Sequence, residues 1–135
     1  MMKIEFATQE DYGYIASRDR HIVEKLIRTK IEQQEIMVIR DSNEIIGWMR
    51  FGYFWDKIPF MNMIFIDEPY RGQGIGQEVV LKWEEIMRQN GLQEVMTSTQ
   101  SDEGAQHFYR KLGYRDIGGF VQEDDPFEIL LLKKL

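Results

Sequence analysis

The feature that most constrains this chain is the segment Tyr70-Arg71-Gly72-Gln73-Gly74-Ile75-Gly76, set between an apolar run and an amphipathic one. The run before it, Phe60–Ile66, is nearly all apolar, as a strand covered on both faces would be. The run after it, Ile75–Asn90, puts Ile75, Val79, Trp83, Ile86 and Met87 on one helical face. Glu78, Lys82, Glu85 and Gln89 fall on the other face, and Asn90-Gly91 supplies the stop. Alternate glycines let the backbone bend and bring its N–H groups close to a ligand. The first turn of the helix adds unpaired donors and a partial positive charge. A strand–glycine–helix junction of this kind is an anion site suited to phosphate. The dinucleotide pattern G-x-G-x-x-G fails at Gln77, and a phosphate loop ending in Gly-Lys-Ser/Thr fails at Gly76-Gln77. The pattern Arg/Gln-x-x-Gly-x-Gly/Ala is met by Arg71, Gly74 and Gly76. A purely structural turn fits the same glycines.

Composition sets the class around this loop. The 135 residues fit one domain, residues 1–135, and 43% apolar content supports a globular core. A net charge of −6 without a clustered basic stripe argues against nucleic acid and anionic membrane surfaces as partners. Attraction for an anionic ligand must then be local, from the backbone of the loop. The absence of cysteine excludes disulfides and thiolate metal sites and removes a common nucleophile for acyl transfer. His21 and His107 have no metal-ligand spacing, so no metal is expected. The start Met1-Met2-Lys3-Ile4-Glu5 has no apolar signal region, and no run approaches the ~20 apolar residues of a membrane span. The expected location is cytoplasmic.

Periodicity predicts a strand, two helices, three strands, a helix, a strand, a helix and two final strands. Lys3–Ala7 alternates as a strand. Thr8 is placed to cap a helix over Glu10–Arg18, with Asp11 at capping-box spacing. Ile22, Leu26, Ile27 and Ile31 mark a second helix. Ile36–Arg40 and Glu44–Phe54 form a hairpin through Asp41-Ser42-Asn43, and Phe60–Ile66 continues the meander. Glu94–Thr99 reads as a short strand. Ala105, Phe108, Tyr109 and Leu112 share a helical face closed by Gly113. Tyr114–Val121 and Phe127–Lys133 pair as a last hairpin around Asp124-Asp125-Pro126.

Two of these motifs together resemble the GNAT superfamily of N-acetyltransferases. Ile66-Asp67-Glu68-Pro69-Tyr70-Arg71-Gly72-Gln73-Gly74-Ile75-Gly76 is similar to the family's acetyl-CoA motif. Ala105-Gln106-His107-Phe108-Tyr109-Arg110-Lys111-Leu112-Gly113-Tyr114 resembles its closing-helix signature. The resemblance implies a mixed α/β sheet of about seven strands and four helices, with a V-shaped split between the fourth and fifth strands. It implies acetyl-CoA as co-substrate, its pyrophosphate on the backbone of Arg71, Gly72, Gln73, Gly74, Ile75, Gly76 and Gln77. The pantetheine arm would run beside the backbone of Ile64, Phe65 and Ile66. Tyr109 matches the family's frequent general acid, and a phenol with pKa near ~10 suits a departing CoA thiolate. With no cysteine and no G-x-S-x-G elbow, direct transfer in a ternary complex is the simpler route.

The chain also departs from the family pattern. Where some members carry a Glu base, the matching residue is Thr97, which cannot act as one. Asp56, in an aromatic stretch, is the substitute candidate for the base, and Asn62 is a candidate to hold a water or the acceptor. Asp102 stands where relatives often carry a cofactor-binding Asn; it also suits a cap for the helix starting near Glu103 or Gly104. Trp48, Phe51, Tyr53, Phe54, Trp55 and Phe60 crowd one stretch. They suit core packing, an acceptor pocket or a homodimer face. The first two helices, which wall the acceptor site in relatives, carry Arg18, Asp19, Arg20, Glu24 and Lys25, a mixture that selects no substrate. The expected acceptor is a small-molecule or peptide amine. A non-catalytic acyl-CoA sensor and a longer acyl donor are the other readings.

Overall fold

Alternation and helical period fix most elements before any long-range contact forms. In the computed structural model, which describes residues 1–135, the strands are β1 (Met2–Phe6), β2 (Ile36–Asp41), β3 (Glu44–Phe54), β4 (Ile58–Ile66), β5 (Glu94–Gln100), β6 (Arg115–Phe120) and β7 (Glu128–Lys134). The helices are α1 (Tyr12–Arg18), α2 (Glu24–Glu32), α3 (Ile75–Gln89) and α4 (Ala105–Lys111), with 3-10 turns at Gln9–Asp11 and Glu68–Tyr70. The sheet has seven strands in the order β1-β2-β3-β4-β5-β7-β6. β4 and β5 are parallel, whereas β1–β2, β2–β3, β5–β7 and β6–β7 are antiparallel. The parallel pairing is confined to Phe60↔Met96 and Met61↔Thr97; β4 runs on to Ile66 and β5 to Gln100 without further partners on that side. This is the expected split between the fourth and fifth strands.

Packing divides into two compact units, Met1–Phe51 with Met63–Lys82, and Gly52–Asn62 with Trp83–Leu135. The first unit is built on Ala7, Ile15, Ile27, Ile31, Ile36, Val38 and Trp48, all buried. Full burial of side chains of this size stabilises by roughly 1.5–3 kcal/mol each before conformational entropy is subtracted. Trp48 packs edge-on to Tyr14 and lies 4.8 Å, centroid to centroid, from Phe65. At Gly47 a Cβ would stand 2.4 Å from the Phe65 carbonyl oxygen, so only glycine lets β3 and β4 approach there. Asp11 closes the start of the first helical segment, its carboxylate accepting from the Thr8 N–H at 2.9 Å. The same carboxylate accepts from Arg40 at 2.7 Å.

Two expectations need correction in the helices. Leu26, assigned to the apolar face of the second helix, is 43% exposed, and Ile22 precedes α2. The helix begins two residues later than Ile22, at Glu24, and packs through Ile27 and Ile31. Asp102 does not cap α4: the cap is Gly104, and Glu103 turns back to accept from the Gln100 N–H.

The second unit holds a buried polar group that the periodicity of α3 did not single out. Glu84 lies on α3 at 1% exposure, between the expected core residues Trp83 and Met87. It accepts from the Tyr114 hydroxyl at 2.8 Å and from Lys133 Nζ at 2.7 Å. A carboxylate this deep is tolerable only because both donors reach it. β6 is exposed along its whole length as the edge strand beside β7. Gly119 is fixed there by contact, since a Cβ would stand 2.2 Å from the Glu128 carbonyl oxygen.

Candidate active site

The glycine loop leaves its amides available. Tyr70 and Arg71 donate back to Asp67 and Glu68, and Glu78 donates to Gly74. Between them, the amides of Gly72, Gln73, Gly74, Ile75, Gly76 and Gln77 donate to no acceptor of the chain. Gly72 and Gly74 take φ of +76° and +82°, a region that side chains disfavour. A Cβ at either would meet nothing within 4 Å, so the space beside the loop is open to a ligand. These are the donors and the room that a diphosphate requires. The loop needs little from its side chains: Gln73 turns back to the Pro69 carbonyl, and Arg71 Nε donates to the Ile66 carbonyl at 2.7 Å. The Arg71 guanidinium also lies 5.0 Å from the centre of the Phe65 ring. On the strand before the loop, the Phe65 carbonyl faces Gly47 on β3. Carbonyls alternate in direction along a strand, so those of Ile64 and Ile66 face the other edge.

The second unit brings side-chain chemistry to the place where β4 and β5 part. Thr97, in the last pair, donates its hydroxyl to the Met61 carbonyl at 3.0 Å. Tyr109 comes close to the same threonine from α4. The Tyr109 ring is 5% exposed and meets the rings of Phe108 and Tyr114 edge-on. Burial pushes its phenol up, the neighbouring Thr97 hydroxyl pulls it part of the way back, and the charge of Glu103 adds to the rise. The phenol therefore holds its proton throughout the neutral range. Next to it, burial and the charge of Glu84 push the Tyr114 phenol far up as well.

One residue beyond the last pair, Asn62 and Ser98 line a cavity of about 450 Å³. Tyr53, Phe54, Phe60 and Phe120 supply most of its wall, with Leu130 completing it. Successive residues of a strand face opposite sides, so Thr97 meets Tyr109 on the α4 face and Ser98 looks into the cavity on the other. The aromatic stretch thus separates by role. Trp48 and Phe51 are core, Trp55 is 77% exposed, and Tyr53, Phe54 and Phe60 line the cavity. Asp56 sits in the exposed turn between β3 and β4 at φ +57° and is not part of the cavity wall. Asp102 is exposed in the turn before α4, and His107 is exposed on it.

A second cavity, of about 410 Å³, belongs to the first unit. It is bordered by Arg18, Arg20, His21 and Asp67 over Trp48, Met63 and Phe65. Beside it, Asp19 is 3% exposed and takes Arg50 Nε at 2.6 Å. Burial pushes the Asp19 carboxyl up, but the hydrogen bond and charge of Arg50 outweigh it and hold the group below the usual carboxylate range. Burial and the charge of Asp67 push the nearby Tyr14 phenol up to about 12.

Sequence reasoning did not find Thr97 as a neighbour of Tyr109, nor Ser98, Phe120 and Leu130 as cavity wall. The only available signal was parity along β5. The wall residues come from strands far apart in sequence.

Residues 3–114 match the model of the acetyltransferase (GNAT) family. The uncharacterized protein YyaT of Bacillus subtilis is 35% identical over 104 residues, spanning 77% of this chain and 68% of that protein. Among solved structures, Ard1 from Thermoplasma volcanium matches with a TM-score of 0.84 at 15% identity, covering 99% of this chain and 97% of its own. The PaiA N-acetyltransferase from Thermoplasma acidophilum, in complex with coenzyme A, matches at 0.80 and 15% identity, covering 100% and 99%. At these identities the structural matches establish a shared fold.

Proposed function

Because this chain belongs to the acetyltransferase (GNAT) family, we propose that residues 1–135 form one N-acetyltransferase domain that moves acetyl from acetyl-CoA to a primary amine. The observation that carries the reading is the row of unpaired amides from Gly72 to Gln77, in open space at a helix start. That row suits the pyrophosphate of acetyl-CoA, and the PaiA relative is known with coenzyme A bound. The backbone edge of Ile64 and Ile66 suits the pantetheine amides, with the Ile66 carbonyl already accepting from Arg71 Nε. Asp102, matching a cofactor-binding position of the family, is a weaker contributor because a carboxylate repels an anion.

Transfer is direct. The amine nitrogen bonds to the acetyl carbonyl carbon, the carbon–sulfur bond breaks, the thiolate takes a proton from Tyr109, and the surplus proton on the new amide nitrogen returns through solvent to the Tyr109 phenolate. Thr97 lies beside that phenol. The phenol is protonated at neutral pH; burial makes it a weaker acid than a free one, and a positioned acid is still worth roughly 10²–10⁴ in rate. The acceptor ammonium must first lose a proton. Asn62 is placed to hold a water or the amine, and Asp56 is the carboxylate proposed to take the proton by way of solvent.

The test is thiol release from acetyl-CoA across a panel of primary amines, with cofactor affinity measured alongside. Amine-dependent thiol release is the expected result. Tight acetyl-CoA binding with no release from any amine would replace the enzyme with a non-catalytic acyl-CoA sensor.

A further inference from the structure

The aromatic cavity contains information about the acceptor that the loop and Tyr109 do not. No side chain in its wall carries a charge. Phe54 and Phe60 stack at 6.2 Å between ring centres, and Phe120 reaches it from the exposed edge strand at 46% exposure. Its polar groups are the Asn62 amide, the Ser98 hydroxyl and the Tyr53 hydroxyl. Asn62 and Ser98 directly follow the last paired residues, Met61 and Thr97.

We propose that this cavity takes a small primary amine that carries an aromatic or branched apolar group and no second charge. The inference rests on the acetyl-transfer reading and narrows its acceptor. A single ammonium is tolerated against ring faces through the aromatic quadrupole. Its N–H groups find the Asn62 side-chain oxygen and the Ser98 hydroxyl at the polar end. The apolar remainder displaces water from Phe54, Phe60, Phe120 and Leu130. A second ammonium, as in a polyamine, or a carboxylate, as in an amino acid, loses hydration here and meets no counter-ion. A volume of about 450 Å³ accommodates one such molecule.

Calorimetric titration of the whole protein, with CoA present, separates the classes using phenylethylamine, putrescine and β-alanine as probes. Phenylethylamine is expected to bind at least about ten-fold more tightly than either of the others. Phe120→Asp is expected to remove that preference, and Phe120→Ala to weaken phenylethylamine by a few-fold. Both changes lie on an exposed strand, and melting curves report any loss of fold. Putrescine or β-alanine binding as tightly as phenylethylamine overturns the inference. So does phenylethylamine affinity unmoved by both Phe120 variants. Thiol release is read separately. Phenylethylamine that binds as expected while no amine of the panel releases thiol supports the cavity's preference and removes the transfer reading. Release with putrescine alone keeps transfer and overturns the inference.

Discussion

The glycine loop and the end of the β4–β5 pairing solve opposite problems. The loop, in the first unit, is made of backbone: its donors are amides from Gly72 to Gln77, and the side chains of Arg71 and Gln73 turn back onto their own segment. The β5–α4 region, in the second unit, is made of side chains, with Tyr109 beside Thr97 and the Tyr114 hydroxyl bonded to Glu84. A backbone site tolerates most sequence changes that keep the glycines. A side-chain site fails with single atoms. The comparison teaches that cofactor affinity and the chemical step should separate under mutation.

The sharpest way to break that comparison is Tyr109→Phe. It should lower turnover by ~10²–10⁴ and leave acetyl-CoA affinity within about two-fold. A variant retaining full rate removes Tyr109 as the acid, and one losing cofactor affinity removes the separation. Glu84→Ala should cost roughly 3 kcal/mol in denaturant unfolding, because it strands the Tyr114 hydroxyl and the Lys133 ammonium at a site 1% exposed. A loss below about 0.5 kcal/mol would show that water already satisfies those donors.

Gly74→Glu acts on the other side of the comparison. It forces a side chain to φ +82° at a cost of ~1–2 kcal/mol and sets a negative charge beside the amides. Acetyl-CoA affinity should fall at least about ten-fold while the α4 region keeps its structure. Unchanged affinity would move the phosphate site elsewhere.

The first unit also carries a pH signature. The folded-state carboxyl of Asp19 is depressed, so its pair with Arg50 contributes fully above the unfolded carboxylate value near ~4. The contribution is lost as pH falls through the lower folded value. The melting temperature should drop over that acid range, and Arg50→Met should flatten this part of the profile. The smallest effect expected is that of Thr97→Val, which removes the hydroxyl beside Tyr109 and its bond to Met61. Turnover should fall a few-fold, near the ~1 kcal/mol of one hydrogen bond, with acetyl-CoA affinity unchanged.

Much of this was legible in the sequence because it is local. Glu44–Phe54 and the start of α3 at Ile75 follow from alternation, helical period and turn residues. The hairpins and the order of elements follow likewise. The loop was legible for the same reason: positive φ, open approach and a helix start are all decided within a few residues. The errors lie where neighbours distant in sequence intervene. Leu26 obeys the helical period yet faces solvent, because α2 packs through Ile27 and Ile31. Glu84, which the sequence reading passed over, is charged and buried because Tyr114 and Lys133 arrive to satisfy it.

By itself the sequence determined the family, the order of the elements and a glycine loop at a helix start, since each depends on the period and conformational freedom of contiguous residues. Only the tertiary structure decided that Thr97 would tie β5 to the Met61 carbonyl, that pairing would stop at Met61↔Thr97, and that Phe120 and Leu130 would join Phe54 and Phe60 around one uncharged cavity. Those outcomes turn on which strands become neighbours and which side chains lose water together. No local pattern encodes either.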